Sequence, residues 1–127
     1  MTEKKYTIAV VEDDTMLRKY LASSLSKEKN ITVVTGANGE EGEKVIKETI
    51  PDLVLLDIIM PKKNGFEVLE AIKKDPKTKD IRVIVLSNLG QQSDIDQAKK
   101  LGAIDYFVKV DLEMSAIVSK VKAILEE

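Results

Sequence analysis

Apolar positions recur along this chain with two periods, and the alternation of the two lays out its elements. Five short runs dominated by apolar and β-branched residues read as strands: Thr7–Val11, Ile31–Thr35, Leu53–Leu56, Val83–Leu86 and Ile104–Val108. Between and after them the apolar positions take helical spacing. Leu17, Leu21 and Leu25 follow a cap at Asp14 or Thr15, Val45, Ile46 and Thr49 form the inner side of a helix after Asn38, and Phe66, Leu69 and Ile72 line a third after Asn64. Ile95, Ala98 and Leu101 line a fourth that ends before Gly102, and Met114, Ile117, Val121 and Ile124 line a fifth after Asp111. These stripes are expected to be core.

Strict alternation of strand and helix implies right-handed crossovers and a parallel sheet covered on both faces. The predicted fold class is therefore α/β, a doubly wound five-stranded parallel sheet with five helices. Of the two common strand orders, 2-1-3-4-5 suits five strands and opens a crevice between strands one and three. Leu53–Leu56 contains no polar residue, as a strand buried on both faces requires. Lys73–Asp80, which carries Pro76, reads as a solvated connecting loop.

Polar residues break the pattern at the carboxyl ends of the strands. Glu12, Asp13 and Asp14 follow strand one, Asp57 follows strand three, Ser87 and Asn88 close strand four, and Lys109 follows strand five. Singly, each has an ordinary reading as an acidic helix start, a loop cap, a polar turn or a snorkelling lysine. Together, on four strands of one sheet, they point to a ligand site. Three carboxylates sharing a crevice would repel by about 4 kcal/mol per pair at roughly 4 Å and an effective dielectric near 20. A cation relieves that repulsion, and a small set of oxygen donors suits Mg²⁺ better than zinc or calcium. With Lys109 opposite and the Ser87 hydroxyl nearby, the set forms a receptacle for a phosphoryl group with Asp57 as nucleophile.

Composition narrows the chemistry further. The 127 residues, 14.1 kDa, suffice for one domain with a proper core and leave no room for a second. Cysteine and histidine are both absent, which removes thiol nucleophiles, disulfides, the usual zinc ligands and the commonest general base. Twenty basic and 22 acidic residues give a formal charge of -2 with no basic block, so direct nucleic-acid binding is not expected. The polar N-terminus and the brevity of Thr7–Val11 fit neither a signal peptide nor a membrane span, and the chain reads as a soluble cytoplasmic protein.

Val10-Val11-Glu12-Asp13, Leu55-Leu56-Asp57-Ile58-Ile59-Met60-Pro61-Lys62-Lys63-Asn64-Gly65, Leu86-Ser87-Asn88 and Gly102-Ala103-Ile104-Asp105-Tyr106-Phe107-Val108-Lys109 together resemble the receiver domain of two-component response regulators, over essentially the whole chain. Chemotaxis receivers have the strand order expected above, so that topology is partly implied by the resemblance. The resemblance implies that Asp57 accepts phosphate from a phosphohistidine on a histidine kinase or histidine phosphotransfer protein. It implies that Asp13 and Asp57 bind Mg²⁺ directly, that Glu12 acts largely through water, and that the backbone carbonyl of Ile59 is a further ligand. Asp14 then caps a helix, Lys109 pairs with a phosphoryl oxygen, and Ser87 swings in to hydrogen-bond it. Tyr106 resembles the family's switch residue, whose inward rotation alters the face of helix four, strand five and helix five. That face would contact a downstream target protein and, in the phosphorylated form, a second copy in a homodimer. A single stand-alone receiver over residues 1–127, with no output domain after helix five, is the organisation expected.

Two departures from the family matter. Receivers usually carry proline after the lysine, on a cis peptide, where this chain has Val110. A cis bond to a non-proline residue costs about 2.5–4 kcal/mol, so either the strain is retained or the loop rearranges, which bears on the aim of Lys109. The residues two beyond the aspartate and two beyond the serine, which tune dephosphorylation in the family, are the apolar Ile59 and Leu89. They cannot orient a water, so a long-lived phosphoryl state is expected.

Three other readings compete. An aspartate-nucleophile phosphohydrolase would need an acid at position 59 and a substrate cap. A flavodoxin-like FMN carrier would need a hydroxyl-rich phosphate cradle where Glu12, Asp13 and Asp14 stand. A receiver-like scaffold that binds partners without phosphorylation would not need the complete set of Glu12, Asp13, Asp57, Ser87 and Lys109. The expected role is that of a phosphoacceptor signalling domain whose only catalysis is its own phosphorylation and slow dephosphorylation.

Overall fold

Strands form where the apolar runs fall. The computed structural model describes residues 4–126, with strands β1 (Tyr6–Val11), β2 (Ile31–Gly36), β3 (Leu53–Leu56), β4 (Arg82–Ser87) and β5 (Asp105–Val108). The helices are α1 (Thr15–Ser26), α2 (Gly39–Thr49), α3 (Gly65–Lys74), α4 (Gln92–Lys100) and α5 (Met114–Leu125). All strand pairs are parallel in the order β2-β1-β3-β4-β5, as expected.

Because successive strand residues face opposite sides, β1 and β3 feed two cores. Ala9, Val11, Val54 and Leu56 pack with Ile46, Leu69, Ile72 and Ala98 of α2, α3 and α4. Ile8, Val10, Leu53 and Leu55 pack with Leu21, Leu25, Ile117 and Val121 of α1 and α5 on the other face. The polar strand ends stay in register: Val11 pairs with Leu56, and Ser87 with Val108. The ladder continues one residue beyond β1 and β3, since Glu12 N–H donates to the Gly36 carbonyl and Asp57 N–H to that of Val11, each at 3.0 Å. Both carboxylates are thereby carried on backbone fixed by the sheet.

The caps read from the sequence form. Asp14 Oδ1 accepts from Leu17 N–H at 3.1 Å and Asn38 Oδ1 from Glu41 N–H at 2.9 Å. Asn64 and Glu67 make a reciprocal capping box.

Four expectations need correction. Thr49 is exposed, its hydroxyl donating to the Val45 carbonyl, and the inner side of α2 is Gly39, Gly42 and Ile46. A Cβ at Gly42 would fall 2.4 Å from Val11 Cγ1, so glycine lets α2 lie directly on β1. Met114 is exposed and Glu113 rather than Asp111 precedes α5, because Lys109–Asp111 is wound into a 3-10 turn. Ile104 lies outside β5 and is exposed, although its N–H still donates to the Val83 carbonyl. The Lys73–Asp80 segment is pinned rather than merely solvated: buried Thr78 donates to the Ile72 carbonyl at 2.7 Å, and Lys73 Nζ donates to the carbonyls of Ile81 and Lys79. Among the described residues, no helix is long and apolar enough to cross a membrane.

Candidate functional site

Glu12, Asp13, Asp57 and Lys109 meet at the carboxyl end of the sheet, in the crevice between β1 and β3. Glu12 and Asp57 are buried, with 2% and 5% of their surface exposed, whereas Asp13 is open to solvent. One oxygen of each of the three carboxylates lies within 4.8 Å of the others. Lys109 Nζ stands 2.7 Å from Glu12 Oε1 and 3.2 Å from Asp57 Oδ2. The second contact has hydrogen-bond direction. The first is a contact of charge, since among the described residues no donor is aimed at buried Glu12 Oε1. Asp57 Oδ1 accepts from Ile58 N–H at 2.7 Å, and Glu12 Oε2 from Asp14 N–H at 3.1 Å.

The electrostatics follow from this burial. Desolvation pushes the Glu12 carboxyl up to about 7, Lys109 opposes the shift and the charge of Asp57 adds to it. Burial raises Asp57 as well, against the pull of Lys109. Burial would lower the Lys109 ammonium, but Glu12 and Asp57 outweigh it and raise it. Two buried carboxyls facing one ammonium cannot both ionise without excess negative charge, so the cluster holds protons that a cation there would displace.

Among the described residues no peptide is cis, so the Lys109–Val110 bond is trans. The loop has rearranged instead. The 3-10 turn at Lys109–Asp111 closes with Leu112 N–H on the Lys109 carbonyl, and Lys109 still reaches both carboxylates.

Ser87 and Tyr106 meet at Leu89 in the β4–α4 loop. The buried Ser87 hydroxyl accepts from Leu89 N–H at 3.2 Å, and the half-buried Tyr106 hydroxyl donates to the Leu89 carbonyl. Leu89 itself packs against the core, whereas Ile59 on the β3–α3 loop is 59% exposed.

Known proteins share this sequence pattern and fold. Residues 8–122 fit the family model described as the response regulator receiver domain. The chain belongs to the response regulator receiver family. Phosphorylation and Mg²⁺ binding are typical of it. The probable C4-dicarboxylate response regulator DctR of Bacillus subtilis is 39% identical over 110 residues, covering 86% of this chain and 48% of that protein. The chain spans about half the length of the curated relatives it matches. Among solved structures, the receiver of the putative response regulator NarL from Mycobacterium tuberculosis superposes with a TM-score of 0.85 at 26% identity, covering 98% of each chain. The BeF3-activated receiver of Klebsiella pneumoniae RstA gives 0.81 at 27%, covering 95% of this chain and 99% of that one.

The structure of this receiver adds residues that sequence reasoning missed. The Arg18 guanidinium of α1 donates to the carbonyls of Glu12 at 2.8 Å and Asp13 at 3.4 Å, which fixes the acidic turn from behind. An arginine one turn into a helix preceded by three acids was the available signal. Met16 in the first turn of α1 is 82% exposed and Val110 in the 3-10 turn 77% exposed, and both follow strand ends of the site, as Ile59 does on the β3–α3 loop.

Proposed function

We propose that this receiver accepts a phosphoryl group on Asp57 from the phosphohistidine of a histidine kinase or histidine phosphotransfer protein, and signals to a target protein through the face of α4, β5 and α5. The observation that carries the reading is the buried Asp57 carboxylate, bonded to Lys109 Nζ at 3.2 Å, within one cluster of oxygens with Glu12 and Asp13. An Asp57 carboxylate oxygen attacks phosphorus, an O–P bond forms, the P–N bond breaks, and the imidazole leaves with the bonding pair and takes up a proton.

The residues present fit Mg²⁺. The donors are oxygens and they converge, one from each of Glu12, Asp13 and Asp57 lying within 4.8 Å of the others. Asp13, Asp57 and the Ile59 carbonyl would hold the ion, with Glu12 acting through water. When bound, the ion supplies positive charge opposite the oxygens of the transferring group. Lys109 pairs with a phosphoryl oxygen, and Ser87 turns its hydroxyl from Leu89 N–H towards another. That turn loosens the loop residue whose carbonyl holds Tyr106, which links the chemistry to β5. Exposed Met16, Ile59 and Val110, which follow the strand ends of the site, would offer a protein donor apolar contacts. These 127 residues act as one receiver unit, and the signalling face would also serve a homodimer of the phosphorylated form.

The test is exposure to acetyl phosphate or beryllofluoride with and without Mg²⁺, read by intact mass and NMR. Modification that depends on Mg²⁺ and disappears in Asp57→Asn is the expected outcome. No modification under any condition would leave only a protein-binding scaffold.

A further inference from the structure

We infer that Glu43 of α2 is a positioning residue for the divalent-cation site, acting through Lys63 on the β3–α3 loop. The inference rests on reading the Glu12, Asp13 and Asp57 cluster as that site. The loop matters because it carries the Ile59 carbonyl, and its shape is not one its sequence prefers. Lys62 sits in the left-handed region at φ 71°, which disfavours a side chain, and Lys63 N–H turns back onto the Pro61 carbonyl at 2.8 Å. Its ends are tied locally, since Gly65 N–H donates to the Ile58 carbonyl at 2.7 Å and a Cβ at Gly65 would lie 2.2 Å from the Asp57 carbonyl oxygen. The tip needs a hold from elsewhere.

That hold comes from α2. Its first residue, Gly39, approaches so closely that a Cβ there would fall 1.8 Å from the Lys63 carbonyl oxygen. One turn further on, Glu43 engages Lys63 Nζ with Oε1 and Lys47 Nζ at 3.0 Å with Oε2. The Glu43 side chain is largely covered, and both its oxygens are committed. A covered carboxylate with a lysine on each oxygen has little freedom, so the Lys63 end of the loop is set against the helix rather than free in solvent. Residues outside the ligand set that fix a loop's place act on affinity by keeping its carbonyl in reach.

Charge alone predicts the opposite sign for one variant, which makes the inference testable. Lys63→Met removes a positive charge near an acidic site, so simple electrostatics would tighten cation binding. Loss of positioning weakens it. Mn²⁺ serves as the probe on the full chain, with free ion counted by electron paramagnetic resonance and folding checked by melting in EDTA. Lys63→Met and Glu43→Gln should each weaken Mn²⁺ binding by roughly 5- to 10-fold, at or below the low end of outer-shell effects. Lys63→Arg, which can still reach Glu43, should bind as wild type does, and Lys47→Met, which removes the same charge but leaves Lys63 paired with Glu43, should lose less than Lys63→Met. If Lys63→Met binds Mn²⁺ as tightly as wild type or tighter, the inference is overturned. Should wild type fail to bind Mn²⁺, or Asp13→Asn fail to weaken it, the cation-site reading falls first and the inference with it.

Discussion

On the proposed reading Ile59 and Leu89 would flank the phosphoryl group, and neither side chain has a polar atom. Ile59 is exposed, so water can approach, but its side chain has no donor or acceptor with which to aim that water at phosphorus. The acyl phosphate should therefore be long-lived. An Ile59→Asn, Leu89→Glu variant, phosphorylated with acetyl phosphate and freed of excess donor, should lose its label faster by on the order of 10-fold, short of the ~10²–10⁴ that a fully positioned acid or base contributes. Equal decay in the two proteins would place control of lifetime elsewhere.

At the scale of elements, α2 shows both what pattern can foretell and what it cannot. It ends on Ile50 in the left-handed conformation, φ 46°, with its N–H on the Ile46 carbonyl at 2.9 Å and Pro51 next. A β-branched residue is a poor occupant of that position, which glycine usually fills, and Ile50 is too exposed to compensate by burial. Ile50→Gly should raise stability by about 1 kcal/mol, read as a higher urea midpoint at unchanged slope, and a lower midpoint would refute the account of strain. The strands, the caps at Asp14, Asn38 and Asn64, and the convergence of Glu12, Asp57 and Lys109 were legible because local period and the geometry of a parallel sheet determine them. The inner side of α2 was not, since glycines carry no hydrophobic signal although Gly39 and Gly42 make its closest approach. Contacts between distant residues, such as Lys63 with Glu43, Lys73 with Ile81 and Tyr106 with Leu89, have no period to betray them. Val110 marked a departure, but only the folded loop shows a trans peptide and a 3-10 turn that still deliver Lys109 to Asp57.

For the molecule as a whole, the acidic end of the sheet sets how stability varies with pH. Glu12 is raised to about 7 and Asp57 is raised too, chiefly by burial, so the folded protein without divalent ions binds more protons than the unfolded chain. A raised carboxyl contributes stability that is full below its unfolded value and is lost as pH climbs through its folded value. The loss therefore runs from about pH 4.5 to somewhat above 7 and reaches about 3 kcal/mol for Glu12 at most. Glu43 acts in a separate window, because Lys63 and Lys47 lower it against the effect of burial, and its contribution disappears only as pH falls below the ordinary carboxyl range. A divalent ion should take the place of the protons at Glu12 and Asp57, adding about 1.4 kcal/mol at ten times its dissociation constant. In EDTA, the urea midpoint should fall between pH 5 and pH 8, and Glu12→Gln should flatten that fall. Mg²⁺ should restore more stability at pH 8 than at pH 5, since at the lower pH it competes with bound protons. A midpoint that stayed level or rose over this range in EDTA would mean that the buried carboxyls titrate normally, and that Lys109 alone offsets their burial.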